Sequence, residues 1–114
     1  MNIDDLTNKI RKVSSEKNVQ KLADLIQNWK TDEKNAYELR DIVERYIGNT
    51  WIDKNADFEK VYGMWSNFKD SAINEIGGMT MNERLYLFGL FEQFDKSFKK
   101  SEKEKFYSKL MDEK

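Results

Sequence analysis

Asp53, Asn55 and Asp57 follow the D-x-N-x-D spacing of the first ligands of a calcium loop, the nearest approach to a metal motif in this chain. A working loop needs glycine at its sixth position for the sharp turn and a bidentate glutamate at its twelfth. Phe58 and Met64 stand there instead, so the segment reads as a helix start and no metal or other cofactor is expected. Histidine and cysteine are absent altogether, which removes the imidazole that shuttles protons near neutral pH and the thiolate that attacks carbonyls or holds zinc. Carboxylates alone could run glycoside hydrolysis, but that needs two of them facing each other across a cleft with their pKa values pushed apart. The 21 acidic residues here mostly fall on polar helix faces or in caps, with none isolated on an apolar stripe. Gly77-Gly78 precedes a helix without the G-x-x-x-x-G-K-[ST] pattern of a phosphate cradle and reads as a helix end. No serine or threonine sits in a supporting catalytic motif, and the expectation is a binding protein rather than an enzyme.

Two surfaces remain as candidates. Lys96, Lys99, Lys100, Lys103, Lys105 and Lys109, with Phe98, Phe106 and Tyr107 among them, could grip a nucleic-acid strand through phosphates and stacking. Glu102 and Glu104 interrupt that charge, and the aromatics recur at core spacing. The other surface is acidic. Residues 31–76 carry six basic and ten acidic side chains, against a net charge of −1 for the whole chain. Glu38, Asp41, Glu44, Asp53 and Asp57, with Trp51 in the connecting loop, are the residues expected to meet a basic partner. Charge of this kind steers encounter, and an aromatic anchor supplies a hot spot.

The elements that would position these residues read as helices throughout. Ile3, Leu6, Ile10 and Val13 step by three and four, as do Val19, Leu22, Ala23, Ile26 and Trp29 after N-cap candidates Ser14, Ser15 and Asn18. Thr31-Asp32-Glu33 signals a third helix that buries Ala36, Leu39, Val43, Tyr46 and Ile47 and stops at Gly48, with Asp41 and Arg45 paired on its outside. A fourth helix, from about Asn55 to Ile76, presents Phe58, Val61, Tyr62, Trp65, Phe68, Ala72 and Ile76. The Thr80-to-Glu83 capping box opens a fifth, buried through Leu87, Phe88, Leu90, Phe91, Phe94 and Phe98. A second such box at Ser101-Glu102-Lys103-Glu104 opens a last helix with Phe106, Tyr107, Leu110 and Met111. Gly63 and Gly89 inside helices four and five suggest close helix crossings. With no proline, linker or repeat, the chain is expected to be one all-α domain, residues 1–114, a single compact bundle of five or six helices. The longest apolar run, Leu85 to Phe91, is far short of the roughly 20 residues that cross a bilayer. The N-terminus shows no secretion signal, so a cytoplasmic location without membrane contact is expected.

The stretch Met79-Thr80-Met81-Asn82-Glu83-Arg84-Leu85-Tyr86-Leu87-Phe88-Gly89-Leu90-Phe91-Glu92-Gln93-Phe94-Asp95, followed by Lys103-Glu104-Lys105 and Leu110, resembles the C-terminal part of small helical immunity proteins. Such proteins are encoded beside bacterial polymorphic toxins, including contact-dependent growth inhibition systems. The resemblance covers the last third of the chain; elsewhere only size, charge and helical pattern agree. It implies a protein partner, the toxin domain of the cell's own system, often a nuclease whose basic substrate groove suits an acidic inhibitor. Direct nucleic-acid binding is not expected on this reading. The alternative is a small nucleic-acid-binding or regulatory adaptor using the lysine-rich C-terminal end.

Overall fold

The computed structural model describes residues 1–50 and 55–112. They are all-α: α1 Ile3–Val13, α2 Lys17–Trp29, α3 Ala36–Asn49, α4 Asn55–Phe68, α5 Met81–Leu87, α6 Phe91–Asp95 and α7 Lys100–Lys109. A π-helical turn, Lys69–Ile73, extends α4, and a 3-10 turn, Ile76–Gly78, follows it. The described residues thus form seven α-helices where five or six were expected.

The N-terminal half follows its apolar spacing. Ile3, Leu6 and Ile10 of α1 and Val19, Leu22, Ala23, Ile26 and Trp29 of α2 are all buried. Arg11 ties this helical hairpin from outside, donating to Asp24 Oδ1 at 2.7 Å, Gln27 Oε1 at 2.9 Å and Gln20 Oε1 at 3.2 Å. Capping chemistry sits elsewhere than expected. Asn2 and Asp5 form a reciprocal capping box on α1, and Asn35 and Glu38 form another on α3. Neither Ser14, Ser15 nor Asn18 caps α2, whose N-cap is Glu16; Ser14 Oγ instead accepts from the Glu16 amide at 3.0 Å. Gly48 lies inside α3, which runs on to Asn49.

Helix four is not one uninterrupted helix. In the π-turn the Asn74 amide donates to Lys69 O at 2.9 Å, an i→i+5 bond that admits one extra residue. That extra residue brings Ala72 and Ile73 into the core together. Tyr62 stays 39% exposed, a departure from the expected inner stripe. The expected fifth helix is also broken. Its Thr80–Glu83 capping box forms, but Gly89 adopts φ +63°, a left-handed turn that ends α5 and redirects the chain into α6. A Cβ on Gly89 would lie 2.7 Å from Asp4 Oδ2, so the glycine also makes room for a neighbouring side chain. Gly63 serves no close crossing: nothing approaches the place of its missing Cβ within 4 Å. Helix α7 begins at Lys100, and Ser101 does not cap it.

The corner after α5 closes the core. Phe88 is fully buried, its ring 5.4 Å from that of Trp29 and 5.6 Å from that of Phe68, nearly edge-on to the latter. Trp65 continues the cluster at 6.1 Å from Phe68. One aromatic side chain therefore joins the C-terminal helices to α2 and α4. None of the helices among the described residues is long and apolar enough to cross a membrane.

Candidate functional site

The acidic surface is only partly assembled by the fold. Trp51 and Asp53 lie outside the described residues. Asp41 stands outward on α3, its side chain 62% exposed, and its carboxylate lies 3.5 Å from Arg40 Nε rather than pairing with Arg45. Glu38 is exposed as well, although Oε1 accepts from the Asn35 amide at 3.1 Å to complete its capping box. Asp57 sits in the first turn of α4, where negative charge favours the helix end.

Glu44 has an internal role. Its Oε1 accepts from Lys69 Nζ at 2.6 Å and from Trp65 Nε1 at 3.1 Å, joining α3 to α4 and the π-turn. Burial pushes the Glu44 carboxyl up, but the hydrogen bonds from Lys69 and Trp65 outweigh it and hold its pKa below the usual carboxylate value. The same hydrogen bond raises Lys69 against a smaller effect of burial. Charge reversal at Glu44 would therefore disturb the fold as well as any surface, and Glu44 is not a free contact residue.

The lysine-rich end is similarly thinned. Lys103 donates to Phe94 O at 3.3 Å and lies 4.2 Å over the Phe94 ring. Phe106 and Tyr107 pack edge-on against that ring. Lys109, with only 7% of its side chain exposed, rests 4.2 Å over Trp29. What remains outward is Lys96, Lys99, Lys100 and Lys105, together with Phe98, which is 92% exposed rather than buried as its spacing suggested. The loop between α6 and α7 carries Phe98 away from the core.

Lys109 also borders a cleft of about 490 Å³ lined by residues including Lys30, Asp32, Glu33, Gln93, Glu102 and Lys105. A buried amine beside a carboxylate at the edge of a cleft is a common start for lysine chemistry. The hydrogen bonds decide against it here. Nζ donates to Asp32 O at 2.6 Å, to Lys34 O at 3.0 Å and to Asp32 Oδ1 at 3.1 Å, so an ammonium's three donors are all spent. Burial lowers the Lys109 pKa, and Asp32 opposes that fall. The group fastens α7 to the turn between α2 and α3. Arg84, equally buried on α5, donates from Nη1 to Leu110 O at 3.0 Å and fastens the end of α7 a second time.

A second cleft was not foreseen from spacing. It is lined by Tyr86, Gly89, Phe91, Glu92 and Gln93 at the α5–α6 corner and by Asn2, Asp4 and Lys30 opposite. Tyr86 is 61% exposed and Phe91 38% exposed. The only signal for it in the sequence was Gly89, whose left-handed turn rotates Phe91 out of the continuous helix that spacing implied.

Comparison of the chain with protein-family models, with curated proteins and with solved structures found no match.

Proposed function

We propose that this chain is a protein-binding inhibitor of the immunity type, which neutralises a toxin domain by covering a basic active or substrate-binding surface. The observation that carries the reading is the division of labour among its charges. Lys109, Glu44, Lys69 and Arg84, the ionisable groups best placed to be activated by burial or pairing, spend their hydrogen bonds on holding helices together. Glu38 and Asp41 are left outward on α3. Groups so arranged recognise a surface by shape and charge. The reading also draws on the resemblance of residues 79–95 and on the acidic excess of residues 31–76.

The test is co-expression with the toxin domain encoded beside this chain, followed by measurement of the complex. Protection of the cells and a tight one-to-one complex are expected. Asp41→Lys combined with Glu38→Gln, which keeps an oxygen for the capping box, should weaken binding at least tenfold, about 1.4 kcal/mol, while leaving the helical spectrum unchanged. Equal killing with and without the chain would dismiss the reading.

The exposure of Phe98 between Lys96, Lys99 and Lys100 favours one second reading, a single-strand nucleic-acid contact made by stacking and phosphate pairing. It predicts binding whose logarithm falls linearly with the logarithm of salt concentration. Phe98→Ala should weaken it, and no binding to single-stranded RNA or DNA at low salt would dispose of it.

A further inference from the structure

We infer that the cleft at the α5–α6 corner receives an arginine side chain from a protein partner. The cleft measures about 300 Å³, the lower end of the range for small-molecule sites and ample for one long side chain. Tyr86 and Phe91 both line it, and both are exposed enough to offer ring surface to an incoming group. Isolated exposed aromatics are ordinary, but two bordering one cleft provide the kind of anchor around which binding energy concentrates.

Charge then selects the occupant. Asp4 and Lys30 on the opposite wall satisfy each other through an ion pair of 2.8 Å. That pair lies against Gly89, with Asp4 Oδ2 2.7 Å and Lys30 Nζ 3.1 Å from where a Cβ would stand. Glu92, in the same cleft, has no cation within salt-bridge distance among the described residues. Glu83 adds a second carboxylate beside Tyr86 on the adjoining surface, its Oε1 engaged by the Thr80 amide. The unpaired charge around the rings is therefore negative. A guanidinium suits it better than an ammonium, because its plane stacks on aromatic faces while its edge pairs with a carboxylate. This assignment rests on the inhibitor reading above and supplies it with an anchor remote in sequence from the acidic helix α3.

The rings can be watched by NMR while a blocked Gly-Arg-Gly peptide is added, with the Gly-citrulline-Gly peptide as its neutral isostere. The arginine peptide should move the Tyr86 and Phe91 resonances, the citrulline peptide should not, and Tyr86→Ala or Glu92→Gln should abolish the response. Equal effects of the two peptides, or a response that survives both substitutions, would overturn the proposal. In the toxin complex, Tyr86→Ala should raise Kd at least tenfold and Glu92→Gln about fivefold. A complex indifferent to both would remove the arginine site while leaving the inhibitor reading intact. Absence of any toxin complex would remove that reading, and the peptide titration would still judge the cleft. Sedimentation that showed dimers lost on Tyr86→Ala would assign the cleft to a second copy and overturn the partner named here.

Discussion

Glu44 and Lys69 illustrate how single side chains set the pH range of this fold. The folded Glu44 pKa lies below its ordinary value of 4.5, so its contribution is complete above 4.5 and is lost as pH falls through the lowered value. Lys69 is raised above 10.5, so its contribution is complete below 10.5 and is lost as pH rises through the raised value. The pair should therefore stabilise the protein evenly across neutral pH. Glu44→Gln should cost about 1 kcal/mol at pH 7 in urea denaturation. The gap between wild type and variant should close at the acid and alkaline ends. A gap that stayed constant to pH 2 would show that the charge of Glu44 does not matter. Lys109→Met is expected to be worse, about 2–3 kcal/mol, because it leaves the Asp32 and Lys34 carbonyls without their buried donor. None of these three roles could be read from spacing, since each partner lies 21 or more residues away. Sequence placed Glu44 and Lys109 on charged surfaces for the same reason: local pattern shows which face of a helix is polar, not which polar group meets another helix.

At the scale of elements, glycine separates what was legible from what was not. The apolar faces of α1, α2 and α3 were plain because every third or fourth residue is apolar and no strained turn interrupts them. The stripe from Phe58 to Ile76 also looked continuous, yet a π-turn shifts its register between Phe68 and Ile76. The run from Thr80 to Phe98 looked like one helix and is two, because a left-handed residue has no signature beyond glycine itself. Two glycines at apparently equivalent interior positions therefore make opposite predictions. Gly63→Ala should stabilise the protein by about 1 kcal/mol, since open space surrounds the site and alanine is the better helix former. Gly89→Ala should destabilise it by more than about 1 kcal/mol, through both the left-handed φ and the collision with Asp4. Thermal denaturation of the pair checks both signs. Melting temperatures shifted in the same direction would contradict the distinction. The candidate site inherits this pattern: the outward acids on α3 were foreseen, whereas the aromatic cleft depends on the turn at Gly89.

For the whole molecule, the decisive contact is Phe88 between Trp29 and Phe68. The Cα trace spans 46 × 24 × 22 Å, about twice as long in one direction as in the other two. Phe88→Ala should cost about 3–5 kcal/mol, a large share of the roughly 5–15 kcal/mol that holds a typical domain together. Chemical denaturation should show a much earlier midpoint, and an unchanged midpoint would mean that the Phe88 ring does not help to hold the C-terminal helices on α2 and α4. The same coupling gives Lys109 a practical use. Amine-acylating reagents need a free lone pair, which exposed lysines such as Lys96 and Lys99 can offer and a nitrogen enclosed by Trp29 and three oxygens cannot. Timed labelling read by peptide mass spectrometry would thus make Lys109 a built-in clock for detachment of α7, and a bound partner that clamps this end should slow it.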